Sequence, residues 1–202
     1  MARLASIVEG DGECSAVPVL VRRIARTLDP GLVPDVGPVL RVPCSRLVKE
    51  GELERTVELA ARKLGGQGGI LIVLDCDDGC PATEGPALLK RAQAARSDMT
   101  ISVVLAKREY EAWFLAAAES LRGRRGLPTD LLPPADPEAI RGAKEWLAER
   151  MPRNCGYAET TDQPALTALF DMDTARRAAD SFDKCYREIV RLLNLLRGGA
   201  AL

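Results

Sequence analysis

The strongest structural signal in the chain is a run of five large apolar residues, Ile70 to Leu74. Three of the five are β-branched, which favours an extended strand over a helix. Because no polar residue interrupts the run, both faces of the strand must be covered, as in a parallel sheet with helices on either side. The run therefore predicts a buried strand of an α/β protein.

Shorter apolar runs predict three more strands, and helical patterns separate all four. The other strands are expected at 4–8, 39–42 and 101–106. Apolar residues recur at helical spacing over 15–28, 53–64 and 86–96. Strands that alternate with helices in this way are typical of right-handed βαβ units. We therefore predict an α/β fold with a sheet of about four parallel strands flanked by helices.

The pattern changes after Leu115, where no further strand is predicted. Residues 123–137 are rich in Gly and Pro and are interpreted as a linker. Helices are predicted at 138–151, 163–170 and 173–197, and the last of them carries a single apolar stripe. We therefore divide the chain into an α/β domain, residues 1–120, and a helical C-terminal appendage, residues 121–202, which packs on the core through this stripe.

The composition excludes several kinds of chemistry. The chain has no histidine, so neither Ser-His or Cys-His catalytic pairs nor histidine metal sites can form. Its 28 Lys and Arg against 29 Asp and Glu give a net charge of -1, so any nucleic-acid contact must come from a local patch. The six cysteines contain no C-x-x-C pair, which favours reduced thiols. No run is long enough to span a membrane and no export signal is recognisable, so we expect a cytoplasmic protein.

Acidic residues follow three of the four predicted strands. Ligand sites in parallel sheets form at the carboxyl ends of the strands, and we expect the first and third strands to be neighbours. Carboxylates that follow neighbouring strands would lie close together and repel one another unless a cation neutralises them. Mg²⁺ prefers such oxygen ligands. The pattern therefore predicts a divalent metal site with its ligands among Glu9, Glu13, Asp75, Asp77, Asp78, Glu109 and Glu111.

Most of these residues also have a purely structural interpretation. Helix capping or exposure in a turn explains three acids equally well: Asp11, Glu13 and Asp78. Glu109 and Glu111 also suit the acidic first turn of a helix, and Lys107 suits an ordinary surface position. It is their joint placement at one edge of the sheet that favours a metal site.

Two short motifs resemble the TOPRIM signature. Val8-Glu9-Gly10 follows the first strand and Asp75-x-Asp77 follows a later apolar strand. Bacterial primases, type IA and type II topoisomerases, recombination mediators and nucleases of the overcoming-lysogenization-defect (OLD) family share this signature. Longer blocks resemble family 4276 of domains of unknown function, a group of small stand-alone TOPRIM-like bacterial proteins. These blocks are VEGDGE, LDCDDGCPA, KREYEAWFLAA and ETTDQPAL, together with the Ser181-Phe182 pair.

The TOPRIM resemblance implies a Rossmannoid fold and a phosphoryl-transfer centre that depends on Mg²⁺ or Mn²⁺. It implies that Glu9 is a metal ligand or general acid/base, and that Asp75 and Asp77 are the metal-binding pair. Glu13 corresponds to the second acid of the OLD-like V-E-G-x-x-E pattern. Lys107 would stabilise phosphate, and Glu109 or Glu111 would be a further metal ligand.

The chain also departs from the larger TOPRIM proteins. It has no tyrosine in a recognisable topoisomerase context and no primase zinc module, so we expect neither strand passage nor primer synthesis. It has no G-x-x-x-x-G-K-[ST] motif, so the ATPase that accompanies OLD nucleases would be a separate chain.

The leading hypothesis is a nuclease that cuts phosphodiester bonds in DNA or RNA with one or two metal ions, in defence or DNA repair. Arg122, Arg124 and Arg125 would hold the nucleic-acid backbone, although a solvated linker explains them equally well. Two alternatives stay open. One is a non-catalytic regulatory partner of an ATPase, and the other is a receiver-like phosphoacceptor domain with Asp75 as the acceptor.

Overall fold

The four strands form one parallel sheet. The computed structural model describes residues 2–152 and 156–198, with β1 (Arg3–Val8), β2 (Asp35–Arg41), β3 (Gly69–Asp75) and β4 (Thr100–Ala106). Their order across the sheet is β2-β1-β3-β4, and each neighbouring pair is parallel. The predicted α/β class is therefore confirmed, as is the predicted contact between the first and third strands.

Helices connect the strands and continue after them. The first group comprises α1 (Glu13–Leu28), α2 (Cys44–Leu47), α3 (Glu52–Lys63), α4 (Pro81–Ala95) and α5 (Ala112–Ala116). The second comprises α6 (Ala143–Arg150), α7 (Glu159–Thr167), α8 (Met172–Ala178) and α9 (Asp180–Gly198). Short 3-10 turns cover Ala118–Leu121 and Pro137–Ala139. Within the described ranges, no helix combines the length and the apolar character of a membrane span.

The central strands are buried on both faces, which explains the uninterrupted apolar run in β3. Leu71 and Val73 face a core layer that includes α1, α5 and the helices α6 to α9. Ile70, Ile72 and Leu74 face the opposite layer, which α3 and α4 cover. The C-terminal helices thus share a core with one face of the sheet. The division of the chain at residue 120 stays a prediction.

The second strand is longer than the sequence predicts. It begins at Asp35 instead of residue 39, and it includes Gly37 and Pro38. β2 lies at the edge of the sheet and pairs only with β1, so its residues are mostly half-exposed and show no continuous apolar pattern. Its first residues pair through the backbone, which the side-chain pattern does not reveal.

Two predicted helices are shortened or divided by local backbone geometry. The helix predicted at 138–151 begins as α6 only after Gly142, whose φ of 72° is left-handed and incompatible with a continuous right-handed helix. The helix predicted at 173–197 is divided into α8 and α9 at Ala179, which is extended. These breaks turn the chain so that α6, α8 and α9 all reach the same face of the sheet.

Candidate functional site

The carboxyl ends of β1, β3 and β4 lie side by side at one edge of the sheet. Val8 at the end of β1 pairs with Val73, and Asp75 at the end of β3 pairs with Ala106. Residues that follow these strands are therefore brought together, as expected for a parallel sheet.

Glu9 is the first side chain beyond β1 and is half-buried. Its Oε1 accepts a hydrogen bond of 3.2 Å from the backbone N–H of Cys44, at the start of α2. Burial raises the pKa of Glu9; the Cys44 N–H opposes this, and the negative charges of Asp77 and Glu13 add to it. Glu9 thus lies within electrostatic reach of acids from two other segments.

Asp75 ends β3 and faces the segment that follows β4. Its Oδ1 accepts a hydrogen bond of 2.9 Å from the backbone N–H of Tyr110. Burial raises the pKa of Asp75 well above its usual range, and the carboxylates of Glu111 and Glu13 raise it further. A carboxyl group in this setting binds a proton or a cation more readily than one in water.

Glu13 and Glu111 are buried acids, only 3 % and 0 % exposed. The amide nitrogen of Gln163 donates to both, over 3.4 Å to Glu13 Oε1 and 3.0 Å to Glu111 Oε1. The Tyr157 hydroxyl also donates to Glu111 Oε1, at 2.8 Å. The other carboxylate oxygen of each acid, Oε2, has no hydrogen-bond partner among the described residues, nor does Oε1 of Gln163.

Burial is also the main reason that the pKa of Glu111 rises to about 7. Lys144 opposes this rise more than any other group. Glu111 therefore changes its charge in the physiological pH range, whereas an exposed glutamate is ionised throughout it.

The two glycines of the loop after β1 allow the C-terminal region to approach closely. A Cβ at Gly12 would lie 2.4 Å from Gln163 Oε1 and 2.9 Å from the backbone oxygen of Glu159. A Cβ at Gly10 would lie 2.4 Å from Glu13 Oε2 and 2.5 Å from Glu159 Oε1. Gly12 of the VEGDGE block is thus needed for packing against the backbone of α7, whereas the atoms close to Gly10 are the ends of flexible side chains.

The C-terminal region supplies residues that the sequence analysis did not select as site residues: Lys144, Tyr157, Glu159 and Gln163. The Nζ atom of Lys144 lies 3.3 Å from Glu159 Oε2. Burial lowers the pKa of Lys144, but Glu111, Glu159 and Asp75 outweigh this effect and raise it overall. Glu159 and Gln163 belong to the ETTDQPAL block, which was the only available signal for them. Lys144 has no such signal.

Asp77, Asp78 and Glu109 lie at the exposed mouth of this region. They line a cavity of about 340 Å³ together with two arginines, Arg108 and Arg141. Asp78 forms ion pairs with both arginines, the one with Arg141 at 2.6 Å. Glu109 Oε2 accepts the backbone N–H of Lys144 at 3.2 Å. The mouth of the site therefore combines acidic and basic groups.

The predicted phosphate-binding lysine lies along the same edge. Lys107 donates through Nζ to the carbonyl of Gly79 at 2.8 Å, and its backbone N–H donates to Ser181 Oγ. It lines a second, larger cavity of about 840 Å³ between α4 and the start of α9. Arg108 lines both cavities, so the two are adjacent.

Two of the three arginines predicted to hold the nucleic-acid backbone have structural contacts. Arg122 donates to the Leu131 carbonyl at 2.7 Å, and Arg125 pairs with Asp162 of α7 at 2.7 Å. Arg124 is exposed. Gln163 directly follows Asp162 in α7. The ion pair of Arg125 with Asp162 therefore helps to fix the helix that carries Gln163.

Comparison with known protein families identifies the family of this chain. The family model described as Domain of unknown function (DUF4276) matches residues 8–189. The chain belongs to this family. The matched range includes all the residues placed at the site above. No curated protein and no solved structure matches the chain.

The donors that this DUF4276 protein gathers are of the type that Mg²⁺ and Mn²⁺ prefer. The unpartnered oxygens of Glu13, Glu111 and Gln163 could accept a cation, so the residues present fit such an ion chemically. In the part of the chain that the structure describes, however, no three Asp, Glu or Cys side chains are already arranged to hold a metal ion. Binding through three of these side chains at once would therefore require side-chain rotation, whereas Mg²⁺ often takes only one or two protein carboxylates.

Proposed function

We propose that this DUF4276 protein is a phosphodiesterase that hydrolyses nucleic acid with Mg²⁺ or Mn²⁺. The observation that carries the proposal is the convergence of acids from three strand ends, where the charges of Glu111 and Glu13 raise the pKa of Asp75 and the charge of Glu13 raises the pKa of Glu111. Buried like charges destabilise a fold, so their presence indicates a cation-dependent role. The TOPRIM resemblance of the VEG and DxD motifs supports the same chemistry.

The residues have separate roles in this proposal. Glu9, Asp75 and Asp77 would hold the metal, with Glu13 or Glu111 as further ligands. The metal, when bound, supplies a water of lowered pKa and stabilises charge on the scissile phosphate. Glu9, whose pKa is raised by burial, could alternatively accept or return a proton as a general acid/base.

The basic groups near the mouth of the site suit a phosphodiester substrate. Arg108 and Arg141 reach the cavity that Asp77 lines, and Lys107 lies beside the adjacent cavity. These cations would offset the charge of the nucleic-acid backbone without reading its bases. We further propose that a separately encoded ATPase binds the protein, as the resemblance to OLD-family nucleases implies.

Metal-dependent cleavage by the purified chain tests this proposal. The wild type and the variants Glu9→Gln, Asp75→Asn and Glu149→Gln are incubated with Mn²⁺ and labelled single- and double-stranded DNA and RNA. We expect the first two substitutions to lower the cleavage rate at least about 100-fold, because each removes a charged group from the centre. Glu149 is exposed on α6, and its variant should cleave at the wild-type rate.

Equal cleavage by all four proteins would refute the assignment of these acids. If the wild type leaves every substrate intact, with and without its ATPase, the nuclease proposal is wrong. Tight binding of the ATPase in that case would favour the regulatory role.

A further inference from the structure

Lys144 is a cation that the C-terminal region places inside a group of acids. It is the second residue of α6, and its backbone N–H is fixed by Glu109 Oε2. Its side chain is 33 % exposed and ends 3.3 Å from Glu159 Oε2. We call Asp75, Glu111 and Glu159 the inner carboxylates.

A nearby positive charge would stabilise the ionised inner carboxylates when no metal is bound. Glu111 is buried, and its Oε2 has no partner among the described residues. The arginines at the mouth of the site pair with Asp78 instead. Lys144, in contrast, interacts electrostatically with Asp75, Glu111 and Glu159.

We propose that Lys144 is a positioning residue, a tethered cation that neutralises the inner carboxylates in the metal-free protein and gives way to a divalent cation. The ammonium and the divalent ion would share Asp75 and Glu111, and two cations bound to the same carboxylates repel each other. The lysine side chain is long and partly exposed, so it can turn outward without moving α6. The competition rests on the proposed metal-dependent function, whereas the stabilising role of the ammonium does not.

The test compares Lys144→Met with Lys90→Met. Lys90 is exposed on α4, so its variant loses the same charge away from the site. Two quantities are measured: the Tm in EDTA and the affinity for Mn²⁺ by titration calorimetry. We expect Lys144→Met to lower the metal-free Tm by about 4 °C or more and to bind Mn²⁺ about tenfold more tightly. Lys144→Arg should behave like the wild type in both measurements.

The opposite signs of the two effects distinguish this role from ordinary structural damage, which would weaken both stability and metal binding. If Lys144→Met matches Lys90→Met in both measurements, the proposal is wrong. If Lys144→Met does not fold, the double variant Lys144→Met/Glu159→Gln decides, because removing one charge of each sign should restore folding. Failure of that rescue would overturn the proposal.

The readouts also separate this proposal from the nuclease assignment, since neither uses cleavage. A wild type that binds no Mn²⁺ would overturn both the metal centre and the competition. The metal-free Tm would still decide whether Lys144 stabilises the inner carboxylates.

Discussion

Gly12 lies where the loop after β1 meets α7. Both the side chain and the backbone of Glu159 are close to it, so a larger residue could not be accommodated by moving one flexible side chain. Two buried acids lie nearby, and burial disfavours the charged form of both Glu111 and Asp75. Close packing at Gly12 and the electrostatic environment of the buried acids therefore both depend on how the C-terminal region packs against the loop after β1.

We expect Gly12→Ala to lower the free energy of unfolding by about 1 to 3 kcal/mol, because its Cβ would overlap the Glu159 backbone. The matched control is Gly85→Ala in α4, where a Cβ would meet nothing within 4 Å. Alanine favours a helix over glycine, so the control should be neutral or slightly more stable. Urea denaturation measures both. A Gly12→Ala protein as stable as Gly85→Ala would contradict the close packing.

The raised pKa of Glu111 predicts that stability depends on pH. In the native chain the Glu111 carboxyl keeps its proton up to a pKa of about 7, whereas in the unfolded chain it loses the proton near 4.5. Stability is therefore highest below the lower value and falls as the pH rises through the upper one, by about 3 kcal/mol from this group. Asp75, whose pKa is also raised, acts in the same direction.

We therefore expect the urea concentration at the unfolding midpoint of the metal-free wild type to decrease as the pH is raised from 5 to 8. In Glu111→Gln the fall should be smaller, since the titrating group is gone. Glu149→Gln, at an exposed position, should keep the wild-type slope. An identical slope in all three proteins would show that Glu111 has an ordinary pKa.

At the scale of elements, aromatic rings join α5 and the turn before it to the C-terminal helices. Trp113 contacts Phe182 with ring centroids 5.2 Å apart, and Phe182 contacts Phe170 at 5.1 Å. Tyr110 and Phe114 extend the cluster, and all five rings are buried. Because Tyr110 also binds Asp75 through its backbone, this cluster fixes the segment that follows β4 relative to the site.

Phe182→Ala should lower the free energy of unfolding by about 3 to 5 kcal/mol, because it leaves a cavity among packed rings. Leu195→Ala on the same helix removes a side chain that is 51 % exposed, and it should change stability by less than about 1 kcal/mol. Thermal or urea unfolding distinguishes the two. Similar losses in both variants would indicate that α9 is not anchored through Phe182.

At the scale of the whole molecule, one hydrophobic layer extends from the sheet into the C-terminal helices. Leu4 of β1, Val104 of β4, Leu147 of α6 and Ile189 of α9 all belong to it. Without residues 121–202, the part of this sheet face that α1 does not cover and the apolar side of α5 would be exposed to water. The site would also lose Lys144, Glu159 and Gln163.

We therefore predict that a fragment of residues 1–120 does not fold independently. The full chain should give dispersed amide signals in a proton–nitrogen NMR spectrum, while the fragment should aggregate or show the narrow dispersion of an unfolded chain. A well-dispersed fragment spectrum would show instead that the α/β part is an autonomous domain, as the sequence division at residue 120 allows.

Much of the fold could be predicted from local patterns. The continuous apolar run of β3 and the alternation of strands and helices were sufficient for the parallel sheet, because central strands must be apolar on both faces. The edge strand β2 and the breaks at Gly142 and Ala179 were less predictable. They depend on backbone pairing and on single dihedral angles, which leave little trace in hydrophobic periodicity.

The amino-acid sequence by itself determined that acids follow three strands of a parallel sheet, and this places Glu9 and Asp75 at one edge. Only the tertiary structure decided which acids are buried and what surrounds them. Glu159 and Gln163 contact Gly12 and Glu13, which lie 147 and 150 residues earlier in the chain, and Glu159 also pairs with Lys144. The physical reason is that periodicity reflects each element's own environment, whereas a charge cluster depends on how distant elements pack.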